Sequence, residues 1–401
     1  MERFRFILGC GLTLLLSLSA CENAKNTKTA KQWYKGNLHT HSYWSDGDEF
    51  PERIMDWYKS RGYHFLALTD HNRLAEGEFW KSISEEQIYR DAYAAYLAQY
   101  GKDWVVSRED SGRLEVKLKT LAEYRPLFEE KERFLIIQSE EITDHFEGAP
   151  IHLNATNVQE LIEPQGGQSV IDVLQNNIDA VIAQRKATGQ PMIVHVNHPN
   201  FHYAIGLEDM IALQGERFFE VFNGHPQVNN LGDSTHIGTE EMWDLINIAY
   251  LSQGKPLIYS LATDDSHHYH RFDRQWSNSG RGWIMVEADS LETHALISAI
   301  ENGRFYASTG VSLSELELID GKYKIAVEAE PGVNYKIQFI GCRKGEQQTE
   351  VLHESSGTAA SFEINEDLLF VRAKVISDKK HPNPIETIVD EMAWTQPVLG
   401  R

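Results

Sequence analysis

The chain has 401 residues, of which 41% are hydrophobic and 10% aromatic, and this composition is sufficient for a sizeable buried core. The length predicts two domains, or one large domain with an appendage. Asp and Glu number 59 against 38 Lys and Arg, so the formal net charge is −21 and nucleic-acid binding as the main function is disfavoured. The carboxylates accompany 17 His, and together these are the ligand types that a borderline transition metal prefers when thiolates are scarce.

The N-terminal residues predict an export signal. Two arginines precede an apolar run at residues 6–20, which is short for a bilayer span and typical of a signal peptide. The Leu-Ser-Ala-Cys motif that ends at Cys21 resembles the bacterial lipobox, in which the cysteine is lipidated. We therefore predict a signal peptide at 1–20, lipidation of Cys21, a tether at 21–34 and an exported, membrane-anchored bacterial lipoprotein. The alternative is an ordinary cleavable signal with a chance cysteine.

Strands and helices alternate along residues 35–310. Strands are predicted up to His39 and at residues 64–69, 134–138, 151–155, 192–196, 218–222, 257–261 and 283–286. Helices are predicted at residues 51–61, 169–188, 239–252 and 291–302. This alternation predicts an α/β fold with βα units, a mainly parallel sheet and a closed or nearly closed barrel.

Two segments depart from this alternation. Residues from about 73 to 133 carry Trp80, Trp104 and many charges, and they predict a helical insertion near the mouth of the barrel. After Gly310 the pattern changes to short alternating segments separated by turn residues. Residues 311–401 are therefore predicted to form a small all-β, sandwich-like domain.

His, Asp and Glu residues cluster where the predicted strands end. His39 and His41 are two residues apart, so their side chains point to the same face and can bind one metal together. The other members of these clusters are Asp46, His71, Glu140, Glu141, His152, His195, His198, Asp264, Asp265, His267 and His268. Because the catalytic groups of such barrels lie at the C-terminal ends of the strands, the clusters together predict a metal site.

Strand geometry separates neighbouring candidates. Successive side chains of a strand point to opposite faces, so we expect only one of Glu140 and Glu141 to face the metals. The same argument leaves only one of His195 and His198. His198 is favoured because Pro199 ends the strand there.

This set of motifs, from about residue 37 to 310, resembles the polymerase-and-histidinol-phosphatase (PHP) metallohydrolases, in particular their carbaryl-hydrolase-like branch. The resemblance implies a distorted (β/α)7-type barrel and two or three divalent transition metals, either Zn, Mn or Fe. It implies a first metal at His39, His41, Glu141 and Asp265, a second at Glu141, His152 and His198, and a third at Asp46, His71 and His267. His195, Glu140 and Asp264 would then support the ligands.

We therefore predict a metal-dependent hydrolase that uses metal-bound hydroxide on a phosphate mono- or diester of a small organic or sugar-linked compound. The groups predicted to take part in catalysis are Asp46, His71, Glu141, Asp265, His267 and His268. Arg73, Arg281 and Arg304 are candidates for binding the phosphoryl oxygens. Hydrolysis of a carboxyl or carbamate ester at the same site is an alternative, and a non-catalytic surface binding protein is another.

Overall fold

A computed structural model describes Met1 and residues 32–385 and 388–401 of the chain. Residues 2–20 of the predicted signal peptide, Cys21 and most of the predicted tether lie outside these residues. Lys31–Arg401 form one compact unit. No helix within the described part of the chain combines the length and the apolar composition that a membrane crossing requires.

The described residues form helices and strands with the following bounds. The helices are α1 (Pro51–Ser60), α2 (Gln87–Tyr100), α3 (Leu121–Phe128), α4 (Val170–Thr188), α5 (Leu207–Ala212), α6 (Thr239–Ser252) and α7 (Thr293–Glu301). The first strands are β1 (Gln32–Asn37), β2 (Phe65–Leu68), β3 (Trp80–Ser82), β4 (Ser107–Asp110), β5 (Arg113–Lys117), β6 (Leu135–Phe146), β7 (Ala149–Thr156), β8 (Ile193–Val196), β9 (Phe218–Asn223) and β10 (Tyr259–Thr263). The remaining strands are β11 (Trp283–Ala288), β12 (Phe305–Ser308), β13 (Leu313–Ile319), β14 (Lys322–Val327), β15 (Tyr335–Arg343), β16 (Glu350–Ser356), β17 (Ala359–Glu363), β18 (Leu368–Ile385), β19 (Ile388–Thr395) and β20 (Val398–Leu399).

The main sheet has 14 strands and is mixed, which corrects the prediction of a mainly parallel sheet. β1, β2 and β6 run parallel, and so do β8, β9 and β10. β7 is antiparallel to both β6 and β8. The reason is local: Glu147 and Gly148 both have positive φ, 50° and 85°, and such a pair forms a two-residue hairpin turn. β7 therefore folds directly back on β6 without a crossover helix.

The sheet does not close into a barrel in the described residues, because its strand order is an open path from β10 to β16. The hydrogen-bonded strands described here therefore do not form the continuous, closed (β/α)7-type barrel that the sequence predicts. The segments that follow β1 and β10 nevertheless lie side by side. His41 N donates to Ser266 O at 2.9 Å, and Asp265 N donates to His39 O at 3.0 Å. These bonds bring the first and last predicted ligand clusters together.

The C-terminal strands continue the main sheet. β12 pairs with β19, β19 with β18, and β18 with β15, so the sheet runs across the predicted boundary at residue 310. The described residues after Gly310 form strands without helices, and they belong to the same compact unit as the residues before them. Another correction concerns residues 73–133, where α2 and α3 accompany a three-stranded sheet of order β3-β5-β4. The insertion is thus mixed rather than helical.

The two faces of the β6–β7 hairpin differ in chemistry, and this difference positions the site. Ile142, Leu153 and other apolar side chains of one face belong to the same buried cluster as Leu174 of α4. The opposite face carries Glu141 and Asn154, which are cross-strand partners. Because strand side chains alternate, packing α4 against the apolar face turns Glu141 towards β1.

Candidate metal centre

His39, His41, Glu141 and Asp265 converge at the end of β1. Both histidines are fully buried. Glu141 Oε2 lies 3.5 Å from His39 Nε2 and 3.2 Å from His41 Nε2. Asp265 Oδ1 lies 3.3 Å from each of the same two nitrogens. The structure thus brings together the four residues of the first predicted set.

Glu141 also faces a second group. Its other oxygen, Oε1, lies 3.0 Å from His152 Nδ1 and 3.6 Å from His198 Nε2. His198 Nε2 is in turn 3.8 Å from Asp265 Oδ2. One carboxylate oxygen of Glu141 therefore serves the first group and the other serves the second, which is the geometry of a bridging carboxylate.

The third group lies on the open side of the cluster. Asp46 Oδ1 is 3.4 Å from both His71 Nε2 and His267 Nε2, and its side chain is 59% exposed. His41 stands between the first and third groups, with its ring centroid 4.4 Å from that of His71 and 3.9 Å from that of His267. All nine predicted metal-ligating residues therefore lie in one continuous cluster.

The chemistry of these atoms fits metal binding. His39 Nε2, both ring nitrogens of His41, Glu141 Oε2 and His152 Nδ1 are buried without a hydrogen-bond partner in the described structure. Buried polar atoms rarely lack a partner, and imidazole nitrogens with carboxylate oxygens are ligands for divalent transition metals. These clusters could therefore hold divalent metals.

The pKa directions of His41 and Glu141 agree with this assignment, whereas the surrounding carboxylates outweigh burial and raise the pKa values of His39, His71 and His267. Burial lowers the pKa of His41 to about 3, and the neighbouring His267 and His71 act in the same direction. Burial alone would raise the pKa of Glu141, but the charges of the surrounding histidines outweigh it and hold that pKa well below its usual value. Neutral imidazole and ionised carboxylate are the forms that bind metal.

Glu220 on β9 is a central residue that the sequence analysis did not identify. Its Oε1 lies 2.7 Å from His39 Nδ1, and its Oε2 accepts a hydrogen bond of 2.8 Å from the backbone N–H of His198. A carboxylate in this position fixes the ring orientation of a metal-ligating histidine. Glu220 lies inside an apolar strand rather than at its end. The signal for it in the sequence is that Glu220 is the single acidic residue within the apolar run Phe-Phe-Glu-Val-Phe.

His195 and His198 both face the cluster, contrary to the expectation that only one could. His195 is the cross-strand partner of Asn154 on the inner face, with its Nε2 3.4 Å from Glu220 Oε1. His198 lies beyond the end of β8 with a φ of 22°, so strand alternation does not apply to it. Asp265 also has a positive φ, 49°. Left-handed conformations of non-glycine residues are uncommon and concentrate at functional sites.

Glu140 and Asp264 are buried away from the cluster. Glu140 Oε1 accepts a hydrogen bond of 2.8 Å from Ile162 N on the opposite face of β6. Asp264 accepts hydrogen bonds from the backbone N–H groups of Gly280, Arg281 and Gly282 and from the hydroxyl of Tyr58. These carboxylates hold neighbouring chain segments and do not contact the ligands directly.

The predicted substrate-binding arginines separate into three cases. Arg281 is buried and donates to the backbone carbonyls of Gly224, Trp276, Asp273 and Asn383. The carbonyl of Arg304 accepts from Glu287 N, and Glu287 pairs with Trp33 at the end of β1 away from His39. Arg73 alone lies beside the cluster, two residues after His71, with its guanidinium 4.3 Å from the ring centroid of Phe79.

Two further side chains lie next to the third group. Lys81, which the sequence analysis did not single out, donates from Nζ to Ser45 O at 2.7 Å, immediately before Asp46. His268, predicted to take part in catalysis, packs 4.7 Å from Trp276 between ring centroids, and its Nδ1 is buried without a partner in the described structure.

We expect Arg281→Ala to lower stability and to leave metal content unchanged. The substitution removes the donor of several buried carbonyls, at a cost of about 3 kcal/mol. Chemical denaturation of the purified variant measures this change. Arg304→Ala is the control, with an expected effect below about 1 kcal/mol. A normally stable Arg281→Ala variant that has lost only turnover of a phosphate ester would contradict the structural role.

Comparisons with known proteins give matches among solved structures. No protein-family model matches the chain. No curated protein matches it either. Among solved structures, a two-domain protein from Bacteroides vulgatus with a predicted PHP-like metal-dependent phosphoesterase has a TM-score of 0.37 and 15% identity, and the match covers 92% of this chain and 96% of that one.

Two further solved structures match part of the chain. A candidate metal-dependent phosphoesterase from Bifidobacterium adolescentis has a TM-score of 0.29 and 14% identity over 59% of this chain and 88% of its own. An amidohydrolase from Chromobacterium violaceum, with bound sulfate and no metal, has a TM-score of 0.28 and 12% identity over 58% and 87%. Likeness at this level assigns neither a family nor an activity to this chain.

Proposed function

We propose that this protein is a metal-dependent hydrolase of ester bonds, and that a phosphate mono- or diester of a small organic or sugar-linked compound is its substrate. The observation that carries the proposal is the continuous cluster of buried imidazole nitrogens and carboxylate oxygens that lack hydrogen-bond partners. Divalent metals bound there would polarise the ester and lower the pKa of a bound water.

The side chains of the chain itself supply the geometry. Glu141 directs one oxygen to each of two groups and thereby fixes their spacing. Glu220 holds the His39 ring from behind. Asp46, exposed on the open side, marks the direction from which a substrate would enter.

The cations on that open side favour a phosphate ester. Lys81 is bonded to the carbonyl that precedes Asp46, and Arg73 follows His71 by two residues. A phosphate ester presents negatively charged non-bridging oxygens that such cations would bind. A carboxyl or carbamate ester is the second candidate, because two of the three predicted arginines lie elsewhere. The site thus has fewer cations, and such an ester needs less positive charge than a phosphate ester does.

The test is hydrolysis by the purified protein, reconstituted separately with Zn²⁺, Mn²⁺ and Fe²⁺. The probes are 4-nitrophenyl phosphate, bis(4-nitrophenyl) phosphate and 4-nitrophenyl acetate. We expect turnover of a phosphate probe that is lost on chelation and restored by metal. Turnover of the acetate alone would transfer the proposal to carboxyl or carbamate esters. Metal binding without turnover of any probe would favour a binding protein.

We further propose that the protein is exported and anchored to a bacterial membrane through a lipid on Cys21. The support is the apolar run at residues 6–20 with the lipobox-like motif that follows it. Two lipid chains on one cysteine would provide a stable anchor without a membrane-spanning helix.

We expect the wild-type protein to partition into the membrane fraction and Cys21→Ser to lose lipidation. Metabolic labelling with a radioactive fatty acid measures this directly. Cys342→Ser is the matched control. Cys342 is buried in the described structure and is not expected to carry a lipid, so this variant should be labelled as the wild type is. Equal labelling of the wild type and Cys21→Ser would contradict the anchor.

A further inference from the structure

A second cavity, separate from the metal centre, has the properties of a ligand site. Its volume is about 1020 Å³, and none of the predicted metal ligands lines it. The lining includes the aromatic side chains of Trp57, Phe272 and Trp283, together with Lys35, Arg61 and Ser279. The cavity therefore combines apolar walls with positive charge, on a chain whose net charge is −21.

Lys35 is the central group of this cavity. Its Nζ lies 3.6 Å from the ring centroid of Trp283 and 4.1 Å from that of Tyr63. The two rings hold the ammonium group by cation–π contact, but a ring face is not an oxygen acceptor. No hydrogen bond or ion pair from this ammonium group to a side chain or backbone oxygen is found in the described part of the chain. Its donors therefore remain available to a ligand.

The charge on Lys35 is only partly balanced. Burial lowers the pKa of Lys35 to about 8, although Asp264 and Glu391 act to raise it. An anion in contact with the ammonium group would favour its charged form. Arg61 also lines the cavity, with its guanidinium 4.2 Å from the ring centroid of Trp57.

The segment at Ser279 and Gly280 closes one wall of the cavity. Ser279 is 5% exposed, and its Oγ has no hydrogen-bond partner in the described structure. The next residue, Gly280, has a φ of 87°, and a Cβ there would lie 3.0 Å from Trp57 Cη2. The wall is thus held close against Trp57. The backbone N–H of Gly280 is bonded to Asp264, which keeps this segment in place.

We infer that this cavity, here called the Lys35 pocket and lined by Lys35, Trp57, Arg61, Phe272, Ser279 and Trp283, binds an organic anion with a flat apolar body, such as an aromatic carboxylate. The anionic oxygens would accept hydrogen bonds from Lys35 Nζ. The apolar body would contact Trp57 and Phe272. Phe272 is 50% exposed in the structure, so a ligand in this position would cover apolar surface.

The test is calorimetric titration of the purified protein with naphthalene-2-carboxylate and with the neutral naphthalene-2-carboxamide. We expect the carboxylate to bind about tenfold or more tightly than the amide, because only the carboxylate forms charge-assisted hydrogen bonds. Lys35→Met should weaken binding of the carboxylate by a similar factor while keeping the apolar stem. Ser279→Ala should leave it unchanged, because Ser279 Oγ is buried within the wall.

Two controls locate the binding. Lys336→Met, at a surface ion pair with Glu354, should bind as the wild type does. Glu141→Ala should also bind normally, which distinguishes the Lys35 pocket from the metal centre and keeps this test separate from the proposed hydrolase function. Absence of saturable binding, equal affinity for acid and amide, or unchanged affinity in a folded Lys35→Met variant would each overturn the inference.

Discussion

Glu141→Ala should abolish metal binding at the first two groups and reduce hydrolysis by more than about a hundredfold. Loss of a residue that only supports a metal ligand typically lowers metal affinity or activity 10–100-fold, and we take this range as the lower bound. Glu141 is expected to exceed that bound because its two oxygens lie within 3.6 Å of His39, His41, His152 and His198. Metal per chain, measured by elemental analysis of the folded variant, is the primary readout.

Glu140→Ala is the matched control, since it removes the same functional group one residue earlier on β6. Its carboxylate is bonded to Ile162 N on the other face, so we expect normal metal content with some loss of stability. The reverse result, with metal lost from Glu140→Ala and retained by Glu141→Ala, would mean that the facing of β6 is inverted.

Asp264→Ala should have the largest effect on stability. It leaves the backbone N–H groups of Gly280, Arg281 and Gly282 and the hydroxyl of Tyr58 without their buried acceptor. Each unsatisfied buried donor costs about 1–3 kcal/mol, so a total loss of several kcal/mol is expected. Denaturant unfolding measures it directly.

Asp265→Ala provides the comparison at the adjacent position. Its carboxylate faces His39 and His41, so the metal content should fall while the metal-free protein keeps most of its stability. A metal-free Asp265→Ala protein that is as unstable as Asp264→Ala would show that the two carboxylates do not divide their roles as the structure indicates.

Much of the local structure follows from the sequence by itself. The helix predicted at residues 239–252 has those bounds as α6, and the helix predicted from Ser169 begins as α4 with that serine as its N-cap. Both helices carry an apolar period of 3.6 residues, and α4 also carries a capping side chain at Ser169. The ligand types at strand ends were equally readable, because the pattern of His, Asp and Glu is a property of the chain.

Other features depend on contacts between distant residues, and only the tertiary structure decides them. Glu220 is 181 residues from His39, and nothing in its strand indicates that the two side chains meet. The sequence makes Arg281 a plausible phosphate ligand, but in the structure its guanidinium donates to surrounding backbone carbonyls. The continuity of β12 with β19 likewise joins residues about ninety positions apart. Local propensity determines which elements form, whereas long-range packing decides which side chains share a site.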